Sequence, residues 1–503
     1  MATVKIERGR LKAPLAKAVQ DIMIAPTLTH EEVTRAYQFY LDVNKAHVLM
    51  LAKQNIIEPA VAKAILQTTQ QMAQMGDCPS FAITPELEEM YFNLENYLIG
   101  QVGIEIGGQQ HTARSRNDLH ATVDRMLARK SLLDMLEHLN GLRSDLLHLA
   151  DQHFDSVMSG YTHLQPSEPI SFAHYLSAVS FALTRDFQRL LNSWERTNLN
   201  PLGGGSMGSS TWPIDRDMTT KLLGFDGLVE NSLDAVASRD YLLEIMCAIS
   251  LLSNTLVRMS TDMRLWCAPE YGYLEVADEV AVCSSIMPQK KNPWTFETIA
   301  SMCARVKGHT DAAWMTYKGV PYAFTMESMD LISNYWPAMK DMTDILTLMT
   351  VTMRGIQFKK QRAYQWAKEN FSTVTEIANT LVRSNHLSFR VAHEIVAHAV
   401  AELSSKGLNS SAITLDLLKK LTSEVTSTPL TITNNEIVTA LDPQKNVCSK
   451  VCKGGTAPQE LTRQLTILKN SLKADKTKIE ILKEKINIAK QKMEMAVETV
   501  LKI

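Results

Sequence analysis

The chain has 503 residues, of which 45% are hydrophobic and 21% charged, and its formal net charge is −2. It is long for one compact domain, so two or three are expected around a large apolar core. The balanced charge excludes a strong field for nucleic acid or a membrane surface, and the 7 scattered cysteines contain no CxxC pair, which fits reduced thiols in a cytoplasmic protein and offers no metal-ligand spacing.

Met1 to Arg10 is polar and charged and lacks the apolar run of a signal peptide. No uninterrupted apolar stretch approaches the roughly twenty residues of a membrane span. From Asp118 to Asp155 there is no proline, and Leu119, Val123, Met126, Leu133, Leu136 and Leu139 recur at helical spacing. Asn117 or Asp118 is the expected N-cap. The same periodicity predicts helices over 168–197, 234–264, 293–317 and 325–353. Alternating β-branched runs are rare, so the fold class is all-α. Gly203-Gly204-Gly205 and Trp212-Pro213 mark a long non-helical connection without the strand-before, helix-after context of a dinucleotide site. Five long helices imply a central bundle, and their wide apolar faces serve either one large core or association between subunits.

Ser284-Ser285-Ile286-Met287-Pro288-Gln289-Lys290-Lys291-Asn292-Pro293 is an ordered loop, because both prolines oppose a helix interior. Lysine and asparagine suit a developing oxyanion, and a serine stripped of its proton can act as a base.

From Leu461 the apolar positions 465, 468, 472, 479, 482, 486, 489, 493, 496 and 500 alternate four-three spacing, broken at Asp475. This is a heptad seam. Residues 466–503 hold 9 lysines and 5 acidic residues, so the outer face is basic. Such a helix either packs on its own body or forms a coiled-coil contact with another subunit or partner.

The serine loop resembles the signature of the fumarase/aspartase superfamily, and its Gln-Lys-Lys-Asn-Pro form is most similar to the argininosuccinate lyase branch. His111-Thr112-Ala113-Arg114-Ser115-Arg116-Asn117-Asp118 resembles the first signature of that family, and Gly160-Tyr161-Thr162-His163-Leu164-Gln165 the second. Pro201 to Gly205, Asp215-Arg216, Ser238-Arg239-Asp240, Leu441-Asp442-Pro443 and Gly454 to Pro458 follow in family order. The resemblance implies a three-domain chain: an N-terminal helical domain over 1–117, a central bundle over 118–360 and a C-terminal helical domain over 361–460, followed here by the tail at 461–503. It also implies a homotetramer sharing that bundle, with each active site drawing its three signatures from three subunits.

The implied reaction is β-elimination from an N-succinyl amine, releasing fumarate without cofactor or metal. Ser284 matches the base; Lys290 and Asn292 match the groups that hold the aci-carboxylate. His163, paired with Glu297, matches a proton-handling pair. Arg116, Asn117 and Thr162 match substrate-carboxylate contacts, with Ser115 and Gln165 beside them. An Arg fork fits a carboxylate in two-point contact.

Several positions depart from the family pattern. Cys283 and Ala113 stand where glycine is usual, and Glu88-Glu89-Met90-Tyr91 replaces Glu-Asp-x-His. Val33, Phe324, Met329 and Ile332 occupy positions where the family presents polar groups to the amine. The resemblance nonetheless implies cleavage of L-argininosuccinate to L-arginine and fumarate. The alternatives are the same elimination on another adduct, such as ethylenediamine-disuccinate or a related aminopolycarboxylate, and a non-catalytic structural paralogue.

Overall fold

The computed structural model describes residues 13–502. The N-terminal part contains α1 (His30–Lys53), α2 (Pro59–Ala73) and α3 (Met90–Val102). The central part contains α4 (Arg116–Gln152), the strands β1 (Val157–Thr162) and β2 (Gln165–Ser171), α5 (Phe172–Thr197), α6 (Asp240–Cys267), the short strands β3 (Val282–Cys283) and β4 (Lys291–Asn292), α7 (Trp294–Tyr317) and α8 (Met326–Arg354). A smaller helical group follows, including α9 (Val374–Asn385), α10 (Phe389–Ser405) and α11 (Leu415–Val425), and the chain continues in α12 (Pro458–Lys502). The fold is all-α, and every sheet among the described residues has only two strands.

Three apolar cores organise these elements. The central one joins Leu136, Leu183, Ile249, Ile299 and Met342 from the five bundle helices. An N-terminal core gathers Tyr37, Leu41, Ile65 and Leu94, and a third lies among Leu381, Ile395 and Leu418. Helix α6 is long and apolar enough to cross a membrane, yet 56% of its most apolar stretch is buried within the protein, as expected of a core helix.

Two local readings need correction. The N-cap of α4 is Ser115, not Asn117 or Asp118: its side chain accepts from the Asn117 N–H, while the Asp118 carboxylate accepts from the Ser115 N–H. Residues 168–171, read as helix, belong to β2; Ser171 then caps α5 by accepting from the His174 N–H at 3.0 Å.

Helix α12 packs along its own chain. Leu461, Leu465, Leu468, Ile479 and Leu482 enter the central core, and Met493 and Val497 enter the N-terminal core. The break in the heptad seam has a specific cause. Asp475 is buried and accepts from Arg143 Nη1 at 2.7 Å and from Gln188 Nε2 at 3.0 Å. Lys45, also buried, reaches Glu494 at 2.7 Å. The helix thus ties the two cores together, and one buried ion pair sets its register. Removing one partner of such a pair leaves a stranded charge, at a cost of about 3–5 kcal/mol. Asp475→Ala is expected to lose about that much in a denaturant titration, whereas the double change Arg143→Met with Asp475→Leu should recover most of it.

Candidate active site

The first signature is fixed by the start of α4. Asp118 is fully buried, and its second oxygen accepts from the Gly203 and Gly205 N–H groups at 2.9 and 3.1 Å. Burial pushes this carboxyl up from its ordinary value, opposed by the backbone donors and by Arg114. Gly203 has φ +89°, and a Cβ there would lie 2.7 Å from the Arg216 side chain, so the glycine loop is held against α4 where no larger residue fits. Asn117 donates to the Ser206 carbonyl at 3.1 Å. Arg116, half exposed, meets Glu89 at 3.2 Å and Glu88 at 3.7 Å and lies over the Phe92 ring.

The second signature forms a hairpin tip. Thr162 pairs with Gln165 across a two-residue turn, and His163 and Leu164 have φ +53° and +59°. Two adjacent non-glycine residues in this left-handed region are uncommon, and such strain collects at functional sites. Thr162, His163 and Gln165 are exposed. The hairpin is anchored from below: Trp366 Nε1 donates to the Tyr161 hydroxyl at 3.2 Å, which shares a 2.5 Å hydrogen bond with Tyr273.

The serine loop is the turn between β3 and β4, in which Val282 pairs with Asn292 and Cys283 with Lys291. Ser284 Oγ accepts from two backbone N–H groups, Ile286 at 3.3 Å and Met287 at 3.0 Å. Donors aimed at one oxygen favour its charged form. The two lysines differ. Lys291 is bound by Asp278 at 2.6 Å and Glu275 at 3.2 Å; Lys290 is exposed and has no ion pair among the described residues. Glu297 lies exposed in the first turn of α7.

The hairpin and the serine loop share one end of the bundle, joined through Tyr161, Tyr273 and the Glu275–Lys291 pair. The first signature lies at the other end, where Arg239 approaches Asp124 at 3.4 Å and the Tyr317 hydroxyl at 3.1 Å. The intervening helix α4 has 37 residues, a rise of about 55 Å. Within one chain, therefore, Arg116 and Asn117 are not brought to His163 and Ser284. His163 and Glu297 also form no hydrogen bond with each other among the described residues.

The model of a family described as "Lyase" matches residues 21–308, and that described as "Argininosuccinate lyase C-terminal" matches residues 371–448. Argininosuccinate lyase 1 of Shouchella clausii is 41% identical over 94% of this chain and 95% of its own length. The chain belongs to the argininosuccinate lyase family. Argininosuccinate lyase of Methanocaldococcus jannaschii is 33% identical over 86% of the chain and 88% of its own length. Among solved structures, EDDS lyase in complex with formate has a TM-score of 0.88 and 30% identity, covering 98% of this chain and 97% of that one. An EDDS lyase variant with bound fumarate has a TM-score of 0.87 and 31% identity, covering 93% of each chain. The protein is thus a carbon–nitrogen lyase of the fumarase/aspartase superfamily.

Against that family pattern, the altered positions have structural consequences. Val33 is buried in the N-terminal core. Ile332 packs on the central core, and the Met329 sulfur faces Arg239 Nη2 at 3.3 Å. Tyr91 donates to Glu95 and bonds His111 Nδ1 at 2.6 Å. The sequence reading passed over Asp118 and His120 as site residues. The spacing of Arg116, His120 and Asp124, four residues apart on one helix face, was the signal that could have found His120.

Ala113 keeps φ +59°, the conformation that glycine adopts without steric cost, and its Cβ opposes it by about 1–2 kcal/mol. Ala113→Gly is expected to raise stability by about 0.5–1 kcal/mol in urea unfolding, the relieved strain less the greater backbone entropy of glycine.

Proposed function

We propose that this protein cleaves L-argininosuccinate to L-arginine and fumarate by β-elimination. The observation that carries the reading is the Ser284 turn: an exposed loop in which two backbone N–H groups converge on one hydroxyl oxygen, and in which Lys290 is exposed with no ion pair among the described residues. A free serine is a poor base, and these donors lower the cost of its alkoxide.

In this scheme Ser284 Oγ removes a proton from the succinyl carbon beside a carboxylate. The electron pair enters that carboxylate, and the resulting aci-form, with two negative oxygens, is held by Lys290 and Asn292. Arg116, Asn117 and Thr162 hold the substrate carboxylates, with Ser115 and Gln165 alongside. The pair then returns to form the fumarate double bond as the C–N bond breaks. His163, oriented by Glu297, handles the proton required by the departing nitrogen, directly or through water. The substrate is thus a small N-succinyl amine.

The length of α4 supports a site completed by other copies of the chain, and we infer a homotetramer built through the central helices. Leu251, Trp314, Met315 and Val351 on those helices are 50%, 50%, 70% and 44% exposed, an apolar surface suited to such an interface. We infer the division at 1–117, 118–360, 361–460 and 461–503; the three apolar cores and α12 support it, although the N-terminal core also draws Leu119, Leu202 and Met493 from the later segments. All 7 cysteines are free thiols in the structure, which supports a cytoplasmic setting.

A second reading, the same elimination on another amine, is favoured by Val33, Met329 and Ile332, which set apolar groups where the family is polar, and by the likeness to EDDS lyase. Fumarate absorbance after incubation with argininosuccinate and then with other N-succinyl amines separates the two readings. Ser284→Ala is expected to reduce turnover at least about 10³-fold while the thermal midpoint stays near that of wild type, because the loop is exposed. Turnover within a few-fold of wild type would reject Ser284 as the base.

A further inference from the structure

Arg116 is not a free cation awaiting its substrate. Its Nη1 lies 3.2 Å from Glu89 Oε1 and 3.7 Å from Glu88. The other oxygen of Glu89 accepts from His120 Nε2 at 2.7 Å, and His120 Nδ1 meets the Tyr40 hydroxyl at 2.8 Å. Tyr40 is buried at 6% exposure, and the His120 side chain is 13% exposed. A continuous chain therefore runs from the core through Tyr40, His120 and Glu89 to Arg116. Every polar atom of the imidazole is engaged, and both Glu89 oxygens have cation-capable partners.

We propose that His120 is a positioning residue that sets how firmly Glu89 holds Arg116, and so how readily Arg116 takes a substrate carboxylate. This rests on the reading of Arg116 as a substrate-carboxylate contact.

The physical basis is competition for one negative charge. With a neutral imidazole, Tyr40 donates to Nδ1 and Nε2–H donates to Glu89 as a neutral group. Arg116 then supplies the cation that balances Glu89. With a protonated imidazole, both ring nitrogens donate, and His120 itself balances Glu89 through a charge-assisted hydrogen bond. Arg116 is then left with more positive potential toward an incoming carboxylate. Burial raises the Glu89 carboxyl, but the His120 and Arg116 contacts outweigh it and hold the group below its ordinary value. It therefore stays charged between its two partners. The groups facing His120 are Tyr40 from α1, Glu89 beside α3, and Arg116 and Asp124 from α4; Asp124 is backed by Arg239.

The test is the fumarate inhibition constant of the full-length enzyme at one fixed pH. His120→Leu removes the donor to Glu89 and is expected to weaken fumarate binding about fivefold, with KM altered more than kcat, while His120→Gln, whose amide can still donate to Glu89, should restore it to about the wild-type value. Glu89→Gln should act in the opposite direction, binding fumarate more tightly, and it decides the matter should His120→Leu not fold. Unchanged fumarate binding in His120→Leu, or weakened fumarate binding in Glu89→Gln, would overturn the inference alone. A wild-type enzyme that forms no fumarate from any N-succinyl amine would overturn the reading of the site, and this inference with it.

Discussion

The rise of an α-helix is the constraint on which the molecule depends. Helix α4 begins at the first signature and ends beside the hairpin that carries the second, 37 residues later. About 55 Å of helix then separates the first signature from the second. The apolar spine Leu119–Leu149 of that helix is buried in two of the three cores. A chain built this way holds the first signature at one end of the central bundle and the second signature with the serine loop at the other.

Each of the two ends is ordered within the single chain. At one end the buried Asp118 draws the 203–205 glycine loop onto the start of α4, and Ser115 closes the helix with a capping box. At the other, the short β3–β4 pair and the Lys291 clamp fix the stem of the serine loop. The turn above them is exposed, with Ile286 83% accessible. Ser284 Oγ meets two backbone N–H groups and Lys290 is exposed, whereas Asp118 and Arg239 are buried.

Much of this was legible in the sequence, because the signals were local or came as whole motifs. The five bundle helices follow from apolar spacing, and the serine loop from its two prolines. The hairpin at 157–171 escaped because Val-Met-Ser-Gly-Tyr-Thr and Gln-Pro-Ser-Glu-Pro-Ile-Ser lack alternation and its turn contains neither Asn nor Gly. Asp475 read as a fault in the tail because its partner, Arg143, lies 332 positions away. The His120–Glu89 contact was likewise hidden, since a lone histidine on a helix face carries no pattern that names its partner. The motifs were thus readable one by one, while their separation into two ends became visible only when α4 acquired a length.

The central claim is that one active site combines Arg116 from one copy of the chain with Ser284 from another. The most direct measurement mixes two separately inactive full-length variants, Arg116→Ala and Ser284→Ala, after dissociation and reassembly, and follows fumarate release. Shared sites predict recovery of a substantial fraction of wild-type turnover, because hybrid assemblies contain sites carrying neither change. A mixture as inactive as either variant alone, with hybrids demonstrated by mass, would contradict the account.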